Sequence, residues 1–556
     1  MNLQNRILEI LSDIVKIDSI TDTESEKAAG EWIFGCMSAM EYFQQKPKQL
    51  GSYRIEGDPL CRTIPYGLVK GSSSKTIVLM GHYDVVGIGD YSTLGVKAFD
   101  IDYLKDHLSD FGISDEARKD LESDEWLFGR GTADMKGGVS VALALLEELS
   151  QKEENHINLL MLAVPDEESY STGMRAAGKL LLELKEQWNL EYELLIDPEP
   201  NSRTEEKQIV QIGTGGKCMP VIMVQGEKTH IAKCFEGLNP IGILSEIYME
   251  TELSMAFTDQ YDGETTVPPT WHFFKDQKKE YDVSVPERAA GYFSVISFYT
   301  TPDEILNKLL PIAEQAFDRY VNRVKTKYEE YKKQSLIKLT HEITYEPRVM
   351  TYEQLIEYCR TNKGSKFTAF YEGLLQETGD KIHKGELNYP SAVIEVMEEV
   401  LIFSDIKHPL VLIGFAPPYY QPVNSYKIEG KGHKAKAMFT QLQNFAMDAF
   451  QLPIISENYA PGLSDCSYCA CEKSFDYSVF SKNNPLWGHV YQIDFETIEA
   501  LNIPFLILGP WGKSYHTIDE RVNKKSLLVE LPAMIKDLMN FIEQMDFIEQ
   551  MDAKKE

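Results

Sequence analysis

Cysteine is scarce in this chain, basic residues are outnumbered, and no long apolar run is present. Eight cysteines in 556 residues are too few for a disulfide framework. The C-x-x-C of Cys466 and Cys469 in DCSYCAC has no second pair to complete a zinc ribbon, so these thiols read as incidental. Against 86 acidic side chains stand 56 basic ones, a net charge of −30. That balance excludes nucleic acid and anionic membrane as partners, because both need a basic footprint; the acidity reads as a solvated surface. No window approaches the ~18 apolar residues of a membrane helix. The amphipathic, acid-bearing MNLQNRILEILSDIVKIDS is unlike a secretory signal, and the expected location is the cytoplasm.

What is present is an ordinary globular composition, 43% hydrophobic and 26% charged, in a length that allows about two to four domains. In TESEKAAGEWIFGCM, Thr23 and Glu26 have capping-box spacing before a helix. KTIVLMGHYDVV is an apolar strand running into His82. WLFGRGTADMKGG leads into VSVALALLEELS, apolar on nearly all faces and so a buried helix. NLLMLAV is a strand, STGMRAAGKLLLELKEQ a helix, and YELLIDPEP another strand. This alternation predicts an α/β fold with a mostly parallel sheet, whose chemistry belongs at the carboxyl ends of its strands. From about residue 213 the pattern becomes that of a small α+β module, closed by a long charged helix over 301–334. FIEQMD occurs twice, at 541–546 and 547–552, and extends a terminal helix.

The polar residues at those strand ends form a set. GHYD supplies His82 and Asp84, which at i and i+2 on a strand project to one side. GRGTAD supplies Asp134, PDEES supplies Glu167 and Glu168, LLIDPEP supplies Asp197 and Glu199, and GKSYH supplies His516. Singly, each has a plain structural explanation. Together, two imidazoles and several carboxylates suit zinc, or manganese or cobalt, and one carboxylate shared by two such ions would give a two-metal hydrolytic site.

GHYDVV, GRGTADMKGG, DEES and YHTIDERV resemble the motifs of the dimetal amidohydrolase and peptidase family that includes acetylornithine deacetylase, succinyl-diaminopimelate desuccinylase, aminoacylase and the glutamate carboxypeptidases. The resemblance implies a zinc-peptidase-like catalytic α/β domain interrupted by a smaller α+β lid: 1–212 and 336–556 catalytic, 213–335 lid and dimerisation. It implies two divalent ions, zinc with cobalt or manganese as alternatives, and a small amide or peptide substrate. His82 resembles a metal ligand and Asp84 the carboxylate that orients it. Asp134 resembles the bridging ligand, followed in the family by a cis bond. Glu167 matches the general base, Glu168 the ligand beside it, and His516 the imidazole ligand of the second ion. For the remaining ligand the family ends the strand with either Asp or Glu-Pro, and LLIDPEP offers both; Asp197 is preferred over Glu199 because it directly follows the apolar strand. VQGEKTHIAKCFEGLNPIGIL resembles the lid segment in which a histidine, here His230, contacts the oxyanion in a neighbouring subunit, which implies a homodimer. Asn239 in that segment and Asp465 in PGLSDCSY are the implied substrate contacts.

Ser467 stands where the family often has an arginine for the substrate carboxylate, which argues against a simple N-acyl-amino-acid substrate. A branch-specific insertion is expected at about 336–450. FAPPYY, GLSDCSY and ISFYTTPDEIL resemble the arginine-utilisation (RocB-like) branch, which implies hydrolysis of an amide bond in arginine or amino-acid catabolism. The alternative is a non-catalytic homologue that binds a metabolite or partner in the same cleft. Such a chain should have lost a ligand or the base, yet His82, Asp134, Glu167, Glu168 and His516 are all present.

Overall fold

A computed structural model describes residues 2–335, 341–460, 462–472 and 476–553, the last of these through 547–553 as backbone only. Residues 336–340 of the expected insertion, Pro461 of PGLSDCSY and the side chains of the second FIEQMD copy lie outside the described residues. By its internal contacts the chain divides into two units, Met1–Thr214 with Val423–Ser474 and Asp494–Glu556, and Gly215–Pro422 with Phe475–Ile493.

The first unit is built on six principal strands, β1 (Leu50–Arg54), β2 (Thr63–Val69), β3 (Lys75–His82), β4 (Trp126–Phe128), β5 (Asn158–Val164) and β6 (Glu191–Asp197), of which β4 lies in a small separate sheet with Arg521–Asn523 and Gly512–Lys513. The large sheet runs β1-β2-β5-β3-β6 and continues through Phe505–Ile507, Lys207–Gln211 and Ile454–Glu457. Its centre is parallel, β5 on β3 on β6 on Phe505–Ile507, while β1 and β2 add antiparallel pairings on one side. The sheet is therefore mixed: on the other side Lys207–Gln211 pairs antiparallel with Phe505–Ile507 and parallel with the edge strand Ile454–Glu457. Every residue of β3 and β5 is buried, as expected of strands covered on both faces, and this explains their continuous apolar runs. The helix Lys136–Ser150 is one such cover, buried along most of its length.

Register brings the chemistry together. His82 pairs with Val164, Leu79 with Ile196 and Asp197 with Ile507, so the carboxyl ends of four parallel strands lie side by side. The chain passes from β3 to β5 on one side and then crosses to β6 on the other, which makes the end of β3 a topological switch point where a crevice opens.

The second unit holds an antiparallel sheet ordered Thr270–Asp276, Arg288–Ser297, Gly216–Gln225, Leu410–Tyr420, to which Val349–Thr351 adds in parallel. The helices Pro240–Thr251 and Pro302–Gln334 belong to it. The expectation that the catalytic part resumes at residue 336 is corrected here. Leu410–Tyr420 pairs with Gly216–Gln225, so the chain returns to the first unit only at Val423. A fully buried apolar strand such as HPLVLIGFAPPYY carries no mark of which sheet it completes. Among the described residues no helix is long and apolar enough to cross a membrane.

Candidate metal centre

His82 ends β3 and is 1% exposed. Its Nδ1 lies 3.0 Å from the Asp84 carbonyl oxygen, which can only accept. That contact keeps a proton on Nδ1 and turns Nε2 toward the strand ends. There Nε2 stands 3.1 Å from Asp134 Oδ1 and 3.1 Å from Glu199 Oε1. The other Asp134 oxygen, Oδ2, is 3.1 Å from His516 Nε2, which is also 3.1 Å from Glu168 Oε2. One carboxylate therefore sits between two imidazoles, one oxygen to each. Donor atoms of His82, Glu167 and Glu199 lie within 4.8 Å of one another, and so do those of His82, Asp134 and Glu168.

Three local structures hold these groups. Asp134 follows the glycine-rich turn after β4, its bond to Met135 is cis, and the Glu520 carboxylate accepts the N–H groups of Ala133 and Asp134 at 3.3 and 3.4 Å. Glu520 is buried and paired with the buried Arg130 at 2.6 Å. The PDEES turn is fixed by Asp84, whose Oδ1 and Oδ2 accept the N–H groups of Glu167 and Glu168 at 3.1 Å each. Glu199 is brought in by Pro198 and by the close approach of the helix Lys136–Ser150: at Gly138 a Cβ would stand 2.2 Å from the Pro198 carbonyl oxygen.

Burial raises the carboxyls of Glu167, Glu168 and Glu199 above the ordinary range, and for Glu168 and Glu199 the Asp134 charge adds to it. For Asp134 burial acts the same way, but hydrogen bonds from His516 and His82 outweigh it and hold the group low. Burial opposes charge on His82, yet Glu199 and Asp134 raise its pKa well above the usual value. Hydrogen bonds to Asp134 and Glu168 raise His516 to about 10. Among the described residues no lysine or arginine pairs with Asp134, Glu167, Glu168 or Glu199. Four carboxylates gathered in a largely buried site, with only the two imidazoles as possible cationic partners, are costly unless a further cation neutralises them, and the mixed nitrogen and oxygen donors are those that zinc, cobalt and manganese accept. The residues present fit such ions.

Asp197, the expected ligand, has another setting. It still pairs in the sheet as the last residue of β6, and its Oδ2 accepts from Ser464 Oγ at 2.8 Å and Cys466 Sγ at 3.4 Å. Glu199 is the acid beside His82, since the proline between them turns the chain after Asp197 has completed the strand. Cys466 is thus not incidental, because its thiol supports a buried carboxylate. Asp465 is buried beside Ser171, and burial pushes its carboxyl up to about 8. Ser467 is buried in the same turn. His230 and Asn239 belong to the second unit: His230 is exposed, with Nδ1 accepting from the Ala232 N–H at 3.1 Å, and Asn239 caps the helix Pro240–Thr251 through the Ile241 N–H at 3.0 Å.

Glu520 and Arg130 were not among the expected site residues. Both stand inside quoted motifs, IDER and GRGTAD, and an arginine in a glycine-rich turn that the fold buries was the available signal.

Two imidazoles and four carboxylates at the strand ends of an α/β sheet define a metal-dependent hydrolase of the peptidase or amidohydrolase class. Residues 78–541 match Peptidase family M20/M25/M40, and the chain belongs to that family. Two relatives from Bacillus subtilis (strain 168) span nearly its whole length. An uncharacterized protein, YqjN, is 29% identical over 97% of this chain and 96% of its own, and protein RocB is 27% identical over 96% and 94%. The fold is similar to that of a tripeptidase from Staphylococcus aureus, with a TM-score of 0.52, 14% identity and coverage of 97% and 99% of the two chains. It is also similar to the YXEP protein of Bacillus subtilis, a dinuclear metal-binding peptidase of the same family, with a TM-score of 0.50, 10% identity and coverage of 98% and 99%.

Proposed function

We propose that this hydrolase cleaves an amide bond, in a peptide or an N-acyl compound, with two divalent cations and Glu167 as general base. The observation that carries the reading is Asp134, whose two oxygens face His82 and His516 at 3.1 Å each. His82, Asp134 and Glu199 would hold one ion, and Asp134, Glu168 and His516 the other. Zinc is the leading identity, with cobalt and manganese accepted by the same donors. When bound, such ions supply Lewis acidity and make hydroxide available near neutral pH.

The chain's own residues do the remaining work. The Asp84 carbonyl oxygen orients His82, and the Asp84 carboxylate fixes the amides of Glu167 and Glu168. Glu167 is no ligand in this assignment and is free to take a proton from the attacking water and return it to the leaving amine. Its raised pKa, caused first by burial, suits a group that must hold that proton between the two events.

A place in arginine or amino-acid catabolism is the finer reading, supported by the whole-length likeness to RocB. Ser467 in place of a substrate-binding arginine supports a substrate without the free carboxylate that such an arginine would clamp. A homodimer in which His230 reaches the neighbouring subunit's site belongs to the same reading, and the exposure of His230 supports it. The test is metal analysis of the purified protein followed by an amide screen weighted toward arginine and ornithine derivatives. Turnover that depends on added divalent ion is expected. Absence of both ion binding and turnover after reconstitution would overturn the proposal.

A further inference from the structure

Asp166, the first acid of PDEES, touches neither imidazole, yet it is the most constrained residue of the turn. Its φ is +70°, a left-handed conformation uncommon outside glycine though tolerated by aspartate. Its carbonyl accepts the N–H of Ser171 at 2.6 Å and of Tyr170 at 3.2 Å. Its Oδ2 accepts the Thr172 N–H at 3.0 Å, where the helix Thr172–Trp188 begins. The remaining oxygen, Oδ1, faces Arg62 Nη1 at 3.3 Å.

Arg62 is buried just before β2, and its guanidinium joins three acids. Nη1 also reaches Glu26 Oε2 at 2.7 Å, and Nη2 reaches Asp58 Oδ1 at 2.8 Å. Glu26 closes the ring, because its Oε1 accepts the backbone N–H of Asp166 at 3.0 Å. Glu26 stands where a capping box would use it, yet Thr23 makes no side-chain cap bond. Its Oε2 accepts instead the N–H of Asp22, one residue before that cap, at 2.9 Å, so the acid ties the start of the helix to the turn.

The geometry points to Arg62 and Glu26 as positioning residues that lock the catalytic turn through Asp166 and so set where Glu167 and Glu168 stand. The inference rests on the proposed roles of those two glutamates. Asp84 holds the amides of Glu167 and Glu168 from one side, and Arg62 with Glu26 holds both the amide and the carboxylate of Asp166 from the other. A planar fork is needed, because one cation must meet three carboxylates in fixed directions; lysine would keep the charge and lose the directions.

The test compares Arg62→Met, Arg62→Lys and Asp166→Asn with wild type, each as full-length, zinc-reconstituted protein. Four readings are taken: amide hydrogen exchange over 166–172, zinc affinity by chelator competition, kcat and KM on an amide that the wild type hydrolyses, and the unfolding midpoint. Arg62→Met should speed exchange in this segment by about tenfold or more and lower kcat by roughly 10–100-fold with KM nearly unchanged, and Arg62→Lys should recover part of both. Asp166→Asn keeps an acceptor for Thr172 and removes the charge facing Arg62, so it gives the same reading if Arg62→Met does not fold. Unchanged exchange in 166–172, or a fall in midpoint with kcat intact, would overturn the inference. If the wild type hydrolyses no amide, exchange over 166–172 still decides the clamp, and the failure belongs to the proposed function; zinc affinity should fall in Arg62→Met, because Glu168 stands in the same turn.

Discussion

Asp84 accepts the backbone N–H of Glu168 through Oδ2 at 3.1 Å. The same side chain takes the Glu167 N–H and stands 3.5 Å from His82 Nδ1. The end of β3 and the turn after β5 are thereby fixed to each other. Asp84→Asn can accept only one of the two amides, and its new NH2 group would oppose the other. This variant should bind zinc about 10–100-fold more weakly, as outer-sphere changes do, with a parallel loss of activity. Chelator competition measures it, and unchanged zinc affinity would contradict the role.

Glu199 and Asp197 give opposite expectations. Glu199→Ala should lower the zinc content from two ions per chain toward one, because the acid beside His82 is lost. Asp197→Asn should keep both ions and alter stability only, since Asp197 meets Ser464 and Cys466. Elemental analysis after gel filtration separates the two, and the reverse pattern would restore Asp197 as the ligand.

The Arg130–Glu520 pair is buried and shares its carboxylate with the amides that present Asp134. Removing one partner strands a buried charge, which costs about 3–5 kcal/mol. Arg130→Met should therefore lower the denaturant midpoint markedly. Replacing an exposed cation such as Lys407 should leave it nearly unchanged.

Stability should also report the ions. A ligand bound only by the folded state adds about 2.7 kcal/mol when present at 100 times its dissociation constant. Zinc added to chelator-treated protein should raise the unfolding midpoint of the wild type, and should raise it less in His516→Ala.

How far the sequence carried this reading depends on where the information lies. His82, Glu167 and Glu168 follow apolar runs, so local pattern alone puts them at the carboxyl ends of parallel strands, whereas Asp134 and His516 stand in glycine-containing turns that belong to a small antiparallel sheet. Asp197 and Glu199 were both legible as candidates, but pattern cannot say which of two acids around Pro198 faces the crevice. Glu26, Arg62 and Asp166 were hidden by distance along the chain: the Glu26 contact with Asp166 spans 140 residues, and its capping-box spacing suggested a local role. The return to the first unit at Val423 was hidden because a buried strand reads alike in any sheet.

The central claim is that Glu167 moves the proton while other residues hold the ions. Its most direct test is zinc content and turnover measured together in Glu167→Ala. The proposed function predicts wild-type zinc content with hydrolysis lowered by at least ~100-fold, the low end for a positioned base. Near-normal turnover, or loss of zinc in step with activity, would contradict it.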